Sequence, residues 1–247
     1  MEFKTFSPKQ KLAMSWWSRK PYRDYDAIIC DGAVRSGKTL SMSIGFISWA
    51  MTSFQGGSFA LCGKTITALK RNVMTPLLGL LGNLGFTCLE RVSRNYVDIT
   101  LCGRTNRFYL FGGRDESSAA LIQGMTLCGV FLDEVALMPR SFVEQALARC
   151  SVTGSRLWFN CNPDHPGHWF YRTPCMSTSP WRTTPPFPGV CGSGMNGCTV
   201  VRSMTALSWE NGRRQTGWYI PCLRRNAMWW QKRRRVTGSG SPVTTAQ

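Results

Sequence analysis

Asp26-Ala-Ile-Ile-Cys-Asp-Gly-Ala-Val-Arg-Ser-Gly-Lys-Thr-Leu-Ser-Met-Ser-Ile-Gly-Phe-Ile-Ser-Trp-Ala-Met51 is the stretch on which the fold turns. It begins as a short apolar run, Asp26 to Cys30, and ends as a longer one, Leu40 to Met51, whose three serines and limited length suit a core helix rather than a bilayer span. Between them, Gly32-Ala-Val-Arg-Ser-Gly-Lys-Thr39 satisfies G-x-x-x-x-G-K-[ST] at every defined position. Strand, glycine-rich turn and helix, in that order, form a phosphate cradle. The glycines let backbone N–H groups curl onto phosphate oxygens, and the helix N-terminus adds the positive end of its dipole. Gly32, Ala33, Val34, Arg35, Ser36, Gly37, Lys38 and Thr39 are thus the expected nucleotide-binding residues. Lys38 is expected on the β- and γ-phosphates, and the Thr39 hydroxyl on Mg2+. Arg35 is either a further cation near the γ-phosphate or an ordinary surface arginine.

Working outward, Ser58 to Cys62 reads as a second strand and Ile66 to Leu81 as a helix broken or kinked at Pro76. Tyr96 to Leu101 alternates, and Phe108 to Phe111 follows a Cys102-Gly-Arg104 turn, which predicts a strand pair. Cys128 to Leu132 is a buried strand, Ser141 to Arg149 a helix with Ser141 as N-cap and Glu144 three residues on, and Arg156 to Asn160 another strand. Strands alternating with helices predict an α/β fold, a mainly parallel sheet with helices on both faces.

Val130-Phe-Leu-Asp-Glu134 supplies the acidic element that a nucleotide hydrolase needs. At the end of an apolar strand, Asp133 would reach Mg2+ and Glu134 would act as general base on the attacking water. Trp158-Phe-Asn-Cys-Asn-Pro163 ends another strand in two amides. Asn160 and Asn162 either sense the γ-phosphate or satisfy local backbone. Cys161, His165 and His168 on a Pro-containing turn make a poor zinc site. Phe6 and Gln10 either meet an adenine or are plain helix residues.

Composition bounds the partners. The 247 residues carry 30 Lys+Arg against 13 Asp+Glu, a net charge of +17, with 43% hydrophobic residues. Such a chain can build a large core, and it suits an anionic partner. The N-terminus lacks the basic start and apolar run of a secretory signal, so a cytoplasmic protein with no membrane partner is expected. The 11 cysteines are scattered and odd in number, and those in apolar stretches, Cys30, Cys62 and Cys128, are expected as reduced core thiols.

Together these residues resemble the ATPase domain of phage terminase large subunits of the PBSX type. The resemblance covers residues 3 to 172. Phe6-Ser-Pro-Lys-Gln10, the Gly32 to Thr39 loop, Ile122-Gln-Gly124, Phe131 to Pro139, Ser141 to Cys150 and Trp158 to Pro163 carry it. It implies a P-loop NTPase of the ASCE type that uses ATP and Mg2+ to drive double-stranded DNA into a capsid in the bacterial host. The partners implied are a small subunit, the capsid portal and, at full length, further copies in a ring. Gln10 would belong to an adenine-recognition element, Lys38 and Thr39 to Walker A, Asp133 and Glu134 to Walker B, and Asn160 to Asn162 to the coupling motif. The family's C-terminal nuclease is expected to have no counterpart in these 247 residues.

Residues 173 to 247 follow another composition. They hold 10 of the 30 basic residues but one acid, Glu210, together with 7 of the 13 prolines and 5 of the 10 tryptophans, without sustained periodicity. A one-base slip of frame accounts for them. Ser179 to Pro186 can then read F-T-M-E-D-N-P-S, Trp209 to Cys222 can read L-G-K-W-T-A-A-D-G-L-V-Y-P-M, and Val243 to Gln247 can read C-D-Y-G-T. All three resemble terminase segments in the family's order. The expectation is a truncated, impaired ATPase domain over 1–172 and a disordered, out-of-frame tail over 173–247. The sheet would then lack the edge strand beside Asp26 to Cys30. The alternative is an inactive prophage remnant that binds DNA through its basic residues alone. A small-molecule kinase would need an acceptor pocket and lid that the sequence does not suggest.

Overall fold

The computed structural model describes residues 5–22, 24–32, 35–162 and 169–172, and beyond these the backbone of three short strands. Its centre is an eight-stranded sheet in the order β3-β4-β5-β2-β6-β7-β1-β8. The strands are β1 (Ala27–Asp31), β2 (Ser58–Gly63), β3 (Thr87–Arg91), β4 (Tyr96–Leu101), β5 (Arg104–Gly112), β6 (Gly129–Leu132), β7 (Arg156–Asn160) and β8 (Gly197–Val201). From β5 through β2, β6 and β7 to β1 every pairing is parallel, while β3, β4 and β8 add antiparallel margins.

The period of two along the central strands divides the core. Ile28, Cys30, Phe59, Leu61, Phe131 and Trp158 face one apolar cluster. Ala27, Ile29, Ala60, Cys62, Val130, Leu132, Leu157 and Phe159 face the other. Strands buried on both faces need helices on both faces, as expected. The first cluster takes α1 (Pro8–Ser15) and α2 (Lys38–Ser53), the second α5 (Arg140–Ala148) and the 3-10 turn Glu116–Ile122. Aromatic rings dominate the α2 side: Phe46 lies 5.1 Å and Trp49 4.9 Å from the Trp158 ring centroid. α1 packs on α2 at Gly45, where a Cβ would meet the Ala13 carbonyl at 2.7 Å, so a larger residue there would push α1 off.

The expected helix over Ile66 to Leu81 forms in three pieces. α3 (Ile66–Leu69) passes into a π turn, Lys70–Met74, and then α4 (Thr75–Asn83) begins with Pro76 in its first turn. Proline lacks an N–H and crowds the preceding turn, and the wider π spacing absorbs that misfit. β3 was not expected. It is an edge strand whose residues are mostly exposed, so it shows none of the alternation that marks β4.

Several expectations need correction. α5 is capped by Pro139 without a side-chain hydrogen bond. Ser141 instead donates to the Glu116 carboxylate, and Glu144 pairs with Arg140 at 2.7 Å, so tertiary and i,i+4 partners outcompete the capping box. The margin beside β1 is not bare, because β8 lies antiparallel on it with Ile29 opposite Thr199. A buried strand with a free edge recruits extended chain, and Thr199-Val-Val201 has the β-branched residues to supply it. Cys62, Cys88, Cys102, Cys128, Cys150 and Cys161 are reduced, but Cys30 is disulfide-bonded. Its register partner on β8 is Cys198, a neighbour that a sheet ending at β1 would not have provided. In the tail, β8 and a pair formed by β9 (Ser208–Glu210) and β10 (Arg213–Gln215) are regular strands, which corrects the expectation of a wholly irregular segment. The remainder of that expectation lies outside the described residues.

Candidate functional site

Parallel strands deliver their C-terminal ends to one rim of the sheet, and at that rim β1, β6 and β7 lie side by side. From β1 the chain turns through the glycine-rich loop into α2. Gly37 takes φ +75°, a left-handed conformation that costs glycine little, and a Cβ there would meet Gln10 Nε2 at 2.6 Å. Arg35 also has φ 63° and is exposed. Lys38, 6% exposed at the first turn of α2, donates from Nζ to the Gly32 carbonyl at 2.6 Å and to Ser36 Oγ at 3.3 Å. Burial lowers its pKa, opposed by the nearby carboxylates of Asp31, Asp133 and Glu134. Asp31, the last residue of β1, adds to this field and was not anticipated. The signal for it was an acid directly before the loop.

β6 carries Asp133 and Glu134 to the same rim. The Asp133 N–H continues the ladder to the Cys62 carbonyl at 2.8 Å, which fixes its backbone. Its side chain is 6% exposed, and burial pushes its pKa up to about 6, against the lowering hydrogen bonds from Asn160 and Thr39. Glu134 turns the chain with φ 55° and stays exposed, so its carboxylate is open to water beside the buried one.

β7 ends in Asn160, 4% exposed, whose Nδ2 donates to Asp133 Oδ1 at 2.5 Å and to Thr39 Oγ1 at 2.9 Å. Thr39 Oγ1 in turn lies 3.3 Å from Asp133 Oδ1. Two strand ends and the first turn of α2 therefore meet in one hydrogen-bonded knot. Asn162 is exposed two residues on. Cys161 is buried and its Sγ lies 3.7 Å from the Cys30 carbonyl, while His165 and His168 fall outside the described residues, as do Ala33 and Val34.

Gln10 reaches the loop from α1. Its Oε1 accepts from the Ser7 N–H at 2.8 Å in a capping box, and its Nε2 donates to the Ser36 carbonyl at 2.9 Å. It holds the glycine-rich loop from outside. Phe6 is half-buried just before it.

The large terminase of a thermophilic bacteriophage is 55% identical, with a TM-score of 0.65 over 68% of this chain and 41% of that one. The same protein in complex with ADP matches at 54% identity and a TM-score of 0.65 over 67% and 41%. The large terminase ATPase domain of Thermus phage P74-26, at 19% identity and a TM-score of 0.50 over 68% of each chain, shares the fold. A search of curated proteins gives no match. The chain spans about two fifths of the length of the thermophilic phage's terminase. Residues 29–174 match the family model described as terminase large subunit, T4likevirus-type, N-terminal, and the chain belongs to that terminase large-subunit family.

Proposed function

We propose that this chain binds ATP with Mg2+ at the β1–β6–β7 rim and hydrolyses it as the ATPase part of a phage DNA-packaging motor. The observation that carries the reading is the meeting of Lys38, Thr39, Asp133 and Asn160 from separate elements, with Glu134 next to them. The relative from the thermophilic phage has been solved with ADP and with ATP-gamma-S, which supports a nucleotide there.

In this reading the loop amides and Lys38 hold the β- and γ-phosphates of the substrate, Gln10 reads the adenine edge, and Arg35 and Asn162 sit at the γ-phosphate side. Thr39 and Asp133 fit Mg2+ because they offer a hydroxyl and a carboxylate, both hard oxygens, 3.3 Å apart. When bound, that ion neutralises charge on the β- and γ-oxygens. Glu134 takes a proton from water as the water oxygen bonds to the γ-phosphorus. The bond from that phosphorus to the β,γ-bridging oxygen breaks, its electron pair leaves on ADP, and inorganic phosphate is released. Double-stranded DNA, a small subunit, the portal and further copies in a ring are the partners proposed for the assembled motor. The basic excess of residues 1–172, 20 Lys+Arg against 12 Asp+Glu, suits the first of these.

The boundary near residue 172 is proposed as the point where the reading frame changes. The family match that ends at 174 supports it. Sequencing the gene tests this part, since a one-base change near codon 172 must open a long terminase-like frame.

Phosphate release by the purified 247-residue chain tests the site. Lys38→Ala should lower ATP affinity at least tenfold and remove turnover, because the buried cation meets the phosphates directly. Turnover that survives Lys38→Ala would overturn the assignment. DNA binding that survives it without any turnover, and falls steeply with salt, would favour the DNA-binding remnant instead.

A further inference from the structure

Asn160 presents an arrangement that the proposed reaction does not by itself require. One amide nitrogen donates at 2.5 Å to Asp133 Oδ1 and at 2.9 Å to Thr39 Oγ1, two oxygens 3.3 Å apart. Neighbouring oxygens on an octahedral Mg2+, each about 2.1 Å from the ion, stand roughly 3 Å apart. The amide N–H2, the positive end of the side-chain dipole, therefore lies between two oxygens already near a cation's spacing. Its other end is poorly served. Asn160 Oδ1 is buried and finds no hydrogen-bond partner among the described residues, a cost that a purely structural asparagine would avoid. The orientation is nonetheless forced, because a flipped amide would set its oxygen against the Asp133 carboxylate.

We infer that Asn160 is a placeholder for the divalent cation, its amide occupying the lone pairs of Thr39 Oγ1 and Asp133 Oδ1 until the cation displaces it. This inference rests on the reading of the rim as a nucleotide site. The backbone cannot be what moves. Asn160 lies opposite Cys30 in the β7–β1 ladder, and the next residue, Cys161, donates its N–H to the Cys30 carbonyl at 3.0 Å. Displacement is a rotation of the Asn160 side chain. It releases Oδ1 from a buried position that offers no partner among the described residues, and so offsets part of the two lost hydrogen bonds. The amide is not needed to hold the oxygens in place, since Thr39 rides on α2 and Asp133 is fixed through its own ladder bond to Cys62. Competition with the cation therefore outweighs any benefit as a template.

The test is the factor by which Mg2+ tightens binding of a fluorescent ADP analogue, compared with EDTA, in the full 247-residue chain. Mn2+ electron paramagnetic resonance reads the same cation directly. Asn160→Ala and Asn160→Ser, neither of which can span both oxygens, should raise that factor about three- to tenfold, the worth of one or two hydrogen bonds of modest net strength. An unchanged or smaller factor in the folded variants overturns the placeholder, and either variant suffices if the other fails to fold. Asp133→Ala separates the two levels of the argument. It should erase the Mg2+ effect, and an effect that survives it would sink the nucleotide-site reading itself. Loss of the effect in Asp133→Ala combined with no gain in the Asn160 variants would sink the placeholder alone.

Discussion

Two asparagines of this chain are almost equally buried and do opposite things. Asn106, 1% exposed on β5, donates to the carbonyls of Ala50 and Phe54 at 3.1 and 3.0 Å and accepts from the Gly57 N–H at 2.8 Å. It closes the C-terminus of α2 and ties the following loop to the sheet. Asn160 spends both hydrogen bonds on side chains of the rim and leaves its oxygen without a partner among the described residues. A satisfied buried amide marks architecture. An unsatisfied one, aimed at a carboxylate and a hydroxyl, marks a place where another group is to bind.

The sharpest way to break this division is to set catalysis against stability. Glu134→Gln changes one exposed carboxylate at the rim and should lower ATP hydrolysis about 10²- to 10⁴-fold, the usual worth of a general base, while leaving the melting temperature in place. Steady-state phosphate release alongside a thermal melt checks both halves. Retained turnover would remove Glu134 from the mechanism, and a large fall in melting temperature would return it to the architecture.

Asn106→Ala should do the reverse. The Phe54 carbonyl and the Gly57 N–H lose the amide and the Ala50 carbonyl keeps only the Phe54 N–H, at a cost of about 2–4 kcal/mol in urea unfolding. Nucleotide affinity per folded molecule should hold, because the rim is built by other strand ends. If the variant weakens nucleotide binding as much as stability, the two regions are coupled and the division fails.

The rim was legible in the sequence for the same reason that it is separable. Lys38, Thr39, Asp133 and Glu134 follow apolar strands at the spacing that the proposed chemistry needs, so spacing alone singles them out. Asn160 stood at the right strand end, but its bonds to Thr39 and Asp133 cross 121 and 27 residues, and no local pattern encodes them. Asn106 gave no sign at all, since it lies two residues before the apolar run Phe108 to Phe111 on which the strand was placed. Ser141 misled because a local capping box is readable and a competing acid 25 residues away is not. β8 lies outside any reading based on frame or periodicity, because edge pairing is decided by which strand is left unpaired.

The smallest effect separates the regions by pH. The Asp133 pKa is raised from 3.8 to about 6 chiefly by burial, so between these values the folded chain holds a proton that the unfolded chain has lost. Stability should therefore fall as pH rises from about 4 to 6 and level off above, by on the order of 1–3 kcal/mol, opposite in sign to the acid lability of a salt-bridged carboxylate. In Asp133→Asn that slope should disappear, so the variant gains on the parent as pH rises, and urea unfolding at pH 4, 5, 6 and 7 measures the gap. Cation binding runs the other way. Mg2+ takes the ionised carboxylate, so its enhancement of nucleotide affinity should weaken below about pH 6. Asn106 carries no titrating group and its variant should keep the parent's slope. A slope that vanished in Asn106→Ala and survived in Asp133→Asn would show the burden of burial to lie in the architecture rather than at the rim.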